Sequence, residues 1–263
     1  MNILFFGDVV GQPGRQAIRK ILPKWQKKYQ LDFVIANGDN LADGKGITEN
    51  SLKEILEAGV DLVTSGDHIW SKKEVIPLLE NKKTPLIRPA NFPGKEPGQG
   101  YRLIQVRTKK ILVVNLIGQV FMKQPGDNPF KAIDQILEDE EDADIIIVDW
   151  HAEATAEKIC MGWHLDGRVS AVLGTHTHVP TADAKILPQG TAYITDVGMV
   201  GPTNSSLGAD KDSTLKSFIK QEPFKYKIAD GPVEVNAVLL EIDGKNKVKN
   251  IQLLQELSIR ANI

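Results

Sequence analysis

The sequence predicts an α/β fold, on three observations. Apolar runs of strand length recur along the chain, at residues 3–6, 33–36, 62–64, 111–116, 145–148, 169–173 and 192–194. Between them lie stretches whose apolar residues fall at helical spacing, and strands alternating with helices give an α/β architecture. Most runs end on the same kind of residue: Asp8, Asp39, Asp67, His68, His151 and His176 each lie just past one. In such folds ligands collect beyond the carboxyl ends of the strands.

The first run leads into Gly7-Asp8-Val9-Val10-Gly11-Gln12-Pro13-Gly14. Ile18, Ile21, Leu22, Trp25 and Tyr29 then form one apolar helical face. A dinucleotide fingerprint would need glycine where Val9 stands, so it is rejected. The run at 33–36 ends in Asn37-Gly38-Asp39-Asn40, and residues 42–46 form a glycine-rich loop of the kind that faces a ligand. Thr48 caps a helix carrying Leu52, Ile55 and Leu56, which stops at Gly59. The run at 62–64 ends in Ser65-Gly66-Asp67-His68. Proline and glycine make 85–100 an irregular excursion, and 118–129 reads as a second functional loop exposing Phe121 and Met122. Ile133, Ile136 and Leu137 mark a helix, followed by a solvated acidic run at 138–144. The run at 145–148 ends in Asp149-Trp150-His151, with a helix expected over 153–159. The run at 169–173 opens onto Gly174-Thr175-His176-Thr177-His178, and that at 192–194 onto Thr195-Asp196-Val197-Gly198-Met199. Residues 233–242 and 248–254 form a hairpin. No repeat or linker divides the chain, so a single domain over 1–263 is expected.

Composition narrows the function. With 41% hydrophobic and 25% charged residues the chain is an ordinary globular protein. A net charge of −2 gives no nucleic-acid-binding signature. Cys160 is the only cysteine, which rules out an intrachain disulfide and fits a reducing compartment. The first residues lack the pattern of a signal peptide, and no run approaches the roughly 20 apolar residues that span a membrane. A cytoplasmic protein is expected, and any assembly is expected to be a homo-oligomer.

The residues at the strand ends point to metal chemistry. Imidazole is the commonest protein ligand of transition metals, and carboxylates mixed with imidazoles suit Mn, Fe or Zn better than Ca. The candidates outnumber the ligands of one tetrahedral ion. Two ions about 3.5–4 Å apart, bridged by a carboxylate, use them economically and are the usual device for phosphoester hydrolysis.

The segments Gly7-Asp8, Gly38-Asp39-Asn40, Gly66-Asp67-His68, His151 and Gly174-Thr175-His176-Thr177-His178 resemble the ordered motifs of the calcineurin-like metallophosphoesterases. The flanks Gly7-Asp8-Val9-Val10-Gly11, His151-Ala152-Glu153-Ala154-Thr155, Asp166-Gly167-Arg168-Val169-Ser170 and Thr195-Asp196-Val197-Gly198-Met199 resemble the YmdB-like subgroup of bacterial cyclic-nucleotide phosphodiesterases. The likeness runs from about Asn2 to Leu254. It implies a four-layer α/β/β/α sandwich holding two divalent transition-metal ions, Fe or Mn ahead of Zn. It also implies that Asp8, Asn40 and His178 hold one ion, that Asp67, His151 and His176 hold the other, that Asp39 bridges them, and that His68 is the catalytic acid or stabiliser. The implied reaction is hydrolysis of a small cyclic nucleotide, a 2′,3′-cyclic one favoured, by a metal-bridging hydroxide, giving the 3′-nucleotide. Two positions depart from the subgroup: Asp39 stands where it has Glu, and Asp67 where it has Asn. The alternatives are a phosphomonoesterase or protein phosphatase, and a regulatory protein that senses nucleotides without turning them over.

Each residue also has a plainer reading. Asp8 alone would be a turn residue or helix cap. Asn40 could serve only its own loop, and His68 could only support a ligand. His164 reads as a structural histidine, Cys160 as a small packed residue, and Glu153 and Asp183 as neighbours of ligands rather than ligands. For Asp196 and the Gly198-Met199 turn, shaping a substrate pocket and plain turn structure are equal alternatives.

Overall fold

Strand β1 (Asn2–Phe6) shows how alternation builds the layers in the computed structural model, which describes residues 1–94, 96–223 and 226–260. Successive strand residues point to opposite faces. Leu4 and Phe6 join a cluster with Ile18, Leu22 and Trp25 of helix α1 (Gly11–Tyr29), where the Phe6 and Trp25 rings stack at 5.8 Å. Ile3 and Phe5 face the other way, into a cluster shared with a second sheet. Both sides of β1 are therefore dry, and its run is apolar throughout.

The first sheet has seven strands. β1, β3 (Phe33–Asn37) and β4 (Leu62–Thr64) are parallel. The long β14 (Pro232–Ile242) runs antiparallel to β1 over Ala237 to Glu241 and to β11 (Met199–Pro202) over Val233 to Val235. β2 (Asp8–Val9) pairs with β11, and β15 (Val248–Arg260) covers the far edge of β14. The second sheet has six strands. β6 (Lys109–Ile117), β7 (Ile145–His151), β8 (Ala171–Thr175) and β10 (Ala192–Ile194) are parallel, with β5 (Tyr101–Val106) and β9 (Lys185–Ile186) as antiparallel edges. Ile111, Val113, Ile145, Ile147 and Leu173 of this sheet meet Ile3, Phe5 and Ile35 of the first. Helices α2 (Glu49–Glu57) and α3 (Val75–Glu80) join α1 outside the first sheet. Helices α4 (Pro129–Asp139) and α5 (Thr155–Leu165) cover the outside of the second, through Ile133, Ile136, Met161 and Leu165. The result is the α/β/β/α sandwich.

Thr48 caps α2, accepting from Ser51 N, and Gly59 follows the helix at φ +106. Other elements differ from the expectation. β7 continues past its apolar run to His151, and β8 is displaced to end at Thr175, because His151 pairs with Thr175 and their side chains enter a buried polar network. The helix expected over 153–159 begins at Thr155 and extends to Leu165. Cys160 is exposed, not packed: the buried face of α5 is Lys158, Met161, Gly162 and Leu165, and Cys160 lies out of phase with it. Phe121 is exposed as expected, but Met122 is buried in the cluster that holds Phe92 and Ile117. A hairpin of β12 (Ser205–Ser206) and β13 (Ala209–Asp210) precedes α6 (Lys211–Lys220), whose apolar residues Leu215, Phe218 and Ile219 fall at helical spacing but stay exposed. Among the described residues no helix is long and apolar enough to cross a membrane.

Candidate metal centre

Strand ends deliver each donor. Beyond β1 the chain passes Gly198 so closely that a Cβ on Gly7 would stand 1.8 Å from the Gly198 carbonyl oxygen, and Asp8 turns into the interior, fully buried. Beyond β3, Asn37 Oδ1 accepts from the Asp39 N–H at 2.9 Å, a local turn that aims Asp39 and Asn40 inward. Beyond β4, a Cβ on Gly66 would lie 2.1 Å from His151 Nε2, so only glycine lets the Asp67-His68 turn approach β7. Beyond β8, His176 and His178 adopt φ of +96° and +67°, which non-glycine residues rarely do.

That strained loop is held from behind. Asp8 Oδ2 accepts from the His176 N–H at 3.0 Å, and Asp196 Oδ2 from the Thr177 N–H at 3.1 Å. Lys158, reaching in from α5, donates to the Thr175 carbonyl at 2.6 Å and to Asp196 Oδ2 at 2.5 Å. Asp196 is buried behind the loop and also accepts from the Gly198 N–H, so of its two readings the structural turn is the one seen.

The donors gather in two groups. His178 Nε2 lies 3.2 Å from Asn40 Oδ1 and 3.8 Å from Asp8 Oδ1. Asn40 also serves its loop, donating to the Gly44 carbonyl at 2.9 Å, which leaves Oδ1 toward His178. In the second group His151 Nε2 lies 3.3 Å from Asp67 Oδ1 and 3.0 Å from His176 Nδ1, and donor atoms of Asp67, His151 and His176 are all within 4.8 Å of one another. Asp39 Oδ2 stands 3.8 Å from His151 Nε2 and 2.7 Å from His68 Nδ1, and Asp39 Oδ1 accepts from the His68 N–H at 3.0 Å. The structure thus brings together Asp8, Asp39, Asn40, Asp67, His68, His151, His176 and His178.

One observation tests whether divalent ions suit this donor set. Asp8 Oδ1 is buried and has no hydrogen-bond partner among the described residues. A buried acceptor without a donor is costly. Asp8 Oδ1 faces His178 and His151, each at 3.8 Å, where a cation would satisfy it. The residues fit the ions.

The electrostatics agree. Burial opposes charge on His68, but hydrogen bonds to Asp39 and Asp67 outweigh it and raise its pKa to about 10. His151 rises to about 9 against burial, chiefly through Asp67 and the nearby Asp39 and Asp8. Asp67 is held well below the usual carboxylate range despite burial, by hydrogen bonds from His151 and His68. Burial and the neighbouring His151 charge push His176 down to about 3. The carboxylates favour a proton on His151, which a divalent ion held there would displace, while His68 would keep its own.

A buried network fixes His151. Asp149 Oδ2 accepts from Asn37 at 2.8 Å, Asp149 Oδ1 accepts from the Thr175 hydroxyl at 2.7 Å, and Thr175 Oγ1 lies 3.0 Å from His151 Nδ1. Thr175 has already given its one proton to Asp149, so His151 Nδ1 is the donor to Thr175. Nε2 is thereby the nitrogen left for the centre. Burial raises Asp149 to about 6.

The remaining residues fall outside the donor groups. Glu153 is half-exposed at the rim, 3.0 Å from His176 Nε2. Asp183 ties Thr181 to Thr195. His164 pairs with Asp134 at 2.8 Å and packs edge-on to Phe130. Sequence reasoning missed Lys158, Thr175 and Asp149. Lys158 had a signal: it stands at i with Met161, Gly162 and Leu165 at i+3, i+4 and i+7, a lysine on the buried face of its helix. The centre opens on a cleft of about 350 Å³, lined by Asp39, Asn40, His68, His176 and His178 together with Lys45, Ser206, Leu207, Thr214, Phe218 and Tyr226.

An α/β/β/α sandwich with carboxylates, an asparagine and imidazoles at facing strand ends defines a metallophosphoesterase of the calcineurin-like class. Within that class the chain belongs to the YmdB-like protein family, whose model matches residues 4–254. It is 46% identical over 248 residues to a 2′,3′-cyclic-nucleotide 2′-phosphodiesterase of Bacillus subtilis (strain 168), covering 94% of this chain and 93% of that one. A crystal structure of a hypothetical protein from Thermus thermophilus superposes with a TM-score of 0.93 at 44% identity, covering 98% of this chain and 100% of that one. A Mycoplasma pneumoniae protein described as a novel phosphatase superposes with a TM-score of 0.93 at 36% identity, covering 99% of this chain and 94% of that one.

Proposed function

We propose that this protein is a cytoplasmic phosphodiesterase that opens 2′,3′-cyclic nucleotides to 3′-nucleotides, using two divalent ions, Fe or Mn in preference to Zn. The observation that carries the reading is that both donor groups reach one cleft, which Asn40 and His178 of the first group, His176 of the second and Asp39 all line. The named activity of the 46% identical relative supports it. The cleft volume, about 350 Å³, lies near the lower end of the roughly 300–1,000 Å³ of small-molecule sites, which favours a mononucleotide over a phosphoprotein. Residues 1–263 act as one domain in this reading, since donors from both sheets are needed.

Asp8, Asn40 and His178 would hold one ion, Asp67, His151 and His176 the other, with Asp39 between. Bound there, two divalent ions supply charge neutralisation for the phosphoryl oxygens and a nucleophile at neutral pH. The chain's own part is positioning and proton transfer. His151 is oriented by Thr175, and the loop of His176 and His178 by Lys158 and Asp196. His68 keeps Nδ1 against Asp39, so its Nε2 proton is the one given to the departing ribose oxygen.

The test is phosphorus NMR of the products from 2′,3′-cyclic AMP with the Mn-loaded protein. The expected result is 3′-AMP alone. A mixture of isomers, or 2′-AMP alone, would overturn the assigned geometry. No turnover together with rapid release of phosphate from p-nitrophenyl phosphate would make it a phosphomonoesterase. Binding without turnover of either would make it a sensor.

A further inference from the structure

The cleft has two unlike walls. One carries the donors of the metal centre. The other is built by the β12–β13 hairpin and α6, and it is apolar where Leu207 and Phe218 face the cleft. Phe218 is 78% exposed and Leu207 50% exposed, so each presents a bare apolar surface beside a cluster of charges. We propose that these two side chains form a nucleobase subsite, with the base stacked on the Phe218 ring. The inference rests on the phosphodiesterase reading above and names the part of the substrate that the far wall recognises.

The geometry ties this wall to the chemistry. Leu207 adopts φ +54°, a left-handed conformation that a bulky residue holds only when its surroundings impose it. The imposing contacts are visible. Ser205 Oγ accepts from the Gly208 N–H at 2.8 Å and donates to the Pro202 carbonyl at 2.6 Å, which closes the hairpin turn. In that turn the Leu207 carbonyl accepts from His178 Nδ1 at 3.0 Å. One residue therefore orients a donor of the metal centre and offers its side chain to the cleft. The phosphate end and the apolar end are tied by a hydrogen bond from the His178 imidazole to the backbone carbonyl of Leu207.

Helix α6 is seated by its own cap, since Asp210 accepts from the Ser213 N–H at 2.9 Å. Thr214 and Phe218, one helical turn apart, both face the cleft. Leu215 and Ile219 are exposed but do not line it. A ligand that joins an anionic phosphate to a flat apolar ring matches both walls at once. Stacking on an aromatic ring tolerates any base, because every base has a π-face. No side chain of this wall reads a base edge in this proposal, so purines and pyrimidines are both accepted, with purines favoured by their larger face.

The experiment is calorimetric titration of the Mn-loaded protein with 3′-AMP and with ribose 3-phosphate, which lacks the base. The wild type is expected to bind 3′-AMP about 10-fold or more tightly than the base-free ligand. Phe218→Ala should erase that preference, and Phe218→Trp should keep it. Equal binding of both ligands by the wild type, or a preference that survives Phe218→Ala, overturns the subsite. An unchanged preference with a smaller particle on size-exclusion chromatography would also overturn it and make the ring an assembly contact. The titration does not depend on turnover. A base preference lost in Phe218→Ala would sustain the subsite even if cyclic nucleotides were not hydrolysed, and that failure would fall on the phosphodiesterase reading alone.

Discussion

Lys158 and Asp196 form an ion pair of 2.5 Å with both side chains 1% exposed. Asp196 also accepts from the Thr177 and Gly198 N–H groups, and Lys158 donates to the Thr175 carbonyl. The pair thus grips the loop at Thr175 and at Thr177, on the two sides of His176. Deleting one partner of such a pair leaves the other charge buried and unpaired. Lys158→Met is expected to cost about 3–5 kcal/mol of unfolding free energy in urea. It should also speed metal loss to a chelator. The double variant Lys158→Met/Asp196→Asn should cost less than the two single changes added together. Additive costs would show that the two side chains do not act as a pair.

His68→Ala removes the proposed proton donor and no proposed ligand. Turnover of 2′,3′-cyclic AMP should fall about 10²–10⁴-fold. Metal content by elemental analysis should stay at the wild-type value. Loss of one equivalent would reassign His68 as a ligand.

Asp67→Asn tests the departure from the subgroup pattern. Three carboxylates facing two divalent ions leave one net positive charge, and the asparagine variant leaves two. The second ion should be released faster to a chelator, while the fold, read by circular dichroism, stays intact. Unchanged release rates would remove Asp67 from the donor set.

Arg15 and Glu54 give a pH-dependent contribution away from the centre. Their side chains meet at 2.7 Å and join α1 to α2, and Arg15 also donates to the Leu41 carbonyl in the loop after Asn40. The Arg15 hydrogen bond holds the Glu54 carboxyl below its ordinary value. A depressed carboxyl stabilises the fold above its unfolded pKa, about 4.5, and that contribution is lost as pH falls through the folded value. Glu54 is partly exposed, so Glu54→Gln should cost less than about 1 kcal/mol at pH 7. Melting curves of chelator-treated protein should show the difference from wild type shrinking between about pH 5 and pH 3. A difference that grows in acid would contradict the sign.

The strands that position the centre were legible because both faces of β1, β3, β7 and β8 are dry, which turns each into an apolar run closed by its functional residues. The boundary of β8 was not, because Gly174 and Thr175 continue the strand through polar contacts instead of apolar ones. α6 went unread although Leu215, Phe218 and Ile219 stand at helical spacing behind the Asp210 cap, a short apolar stripe that the fold leaves exposed. The donors themselves lay in ordered motifs, but their supports did not. Nothing in the neighbourhood of Asp149 or Thr175 in sequence announces that they meet Asn37 and Thr64 from the other sheet. Met122 and Cys160 show the limit of local patterns: a loop methionine found a core cluster, and a helical cysteine fell on the outer face.

Strand β14 joins β1 to β11, and through β11 to the strand that carries Asp8. A chain made from its amino end therefore presents Asp8, Asp39 and Asp67 to water long before their sheet has its middle strand. His151, His176 and His178 follow, on a sheet that has nothing complete to pack against. Contacts this distant in sequence close late and slowly. Closure of the first sheet around its donors therefore waits on β14, and a fragment that stops short of it holds all eight residues of the centre while that sheet lacks its middle strand.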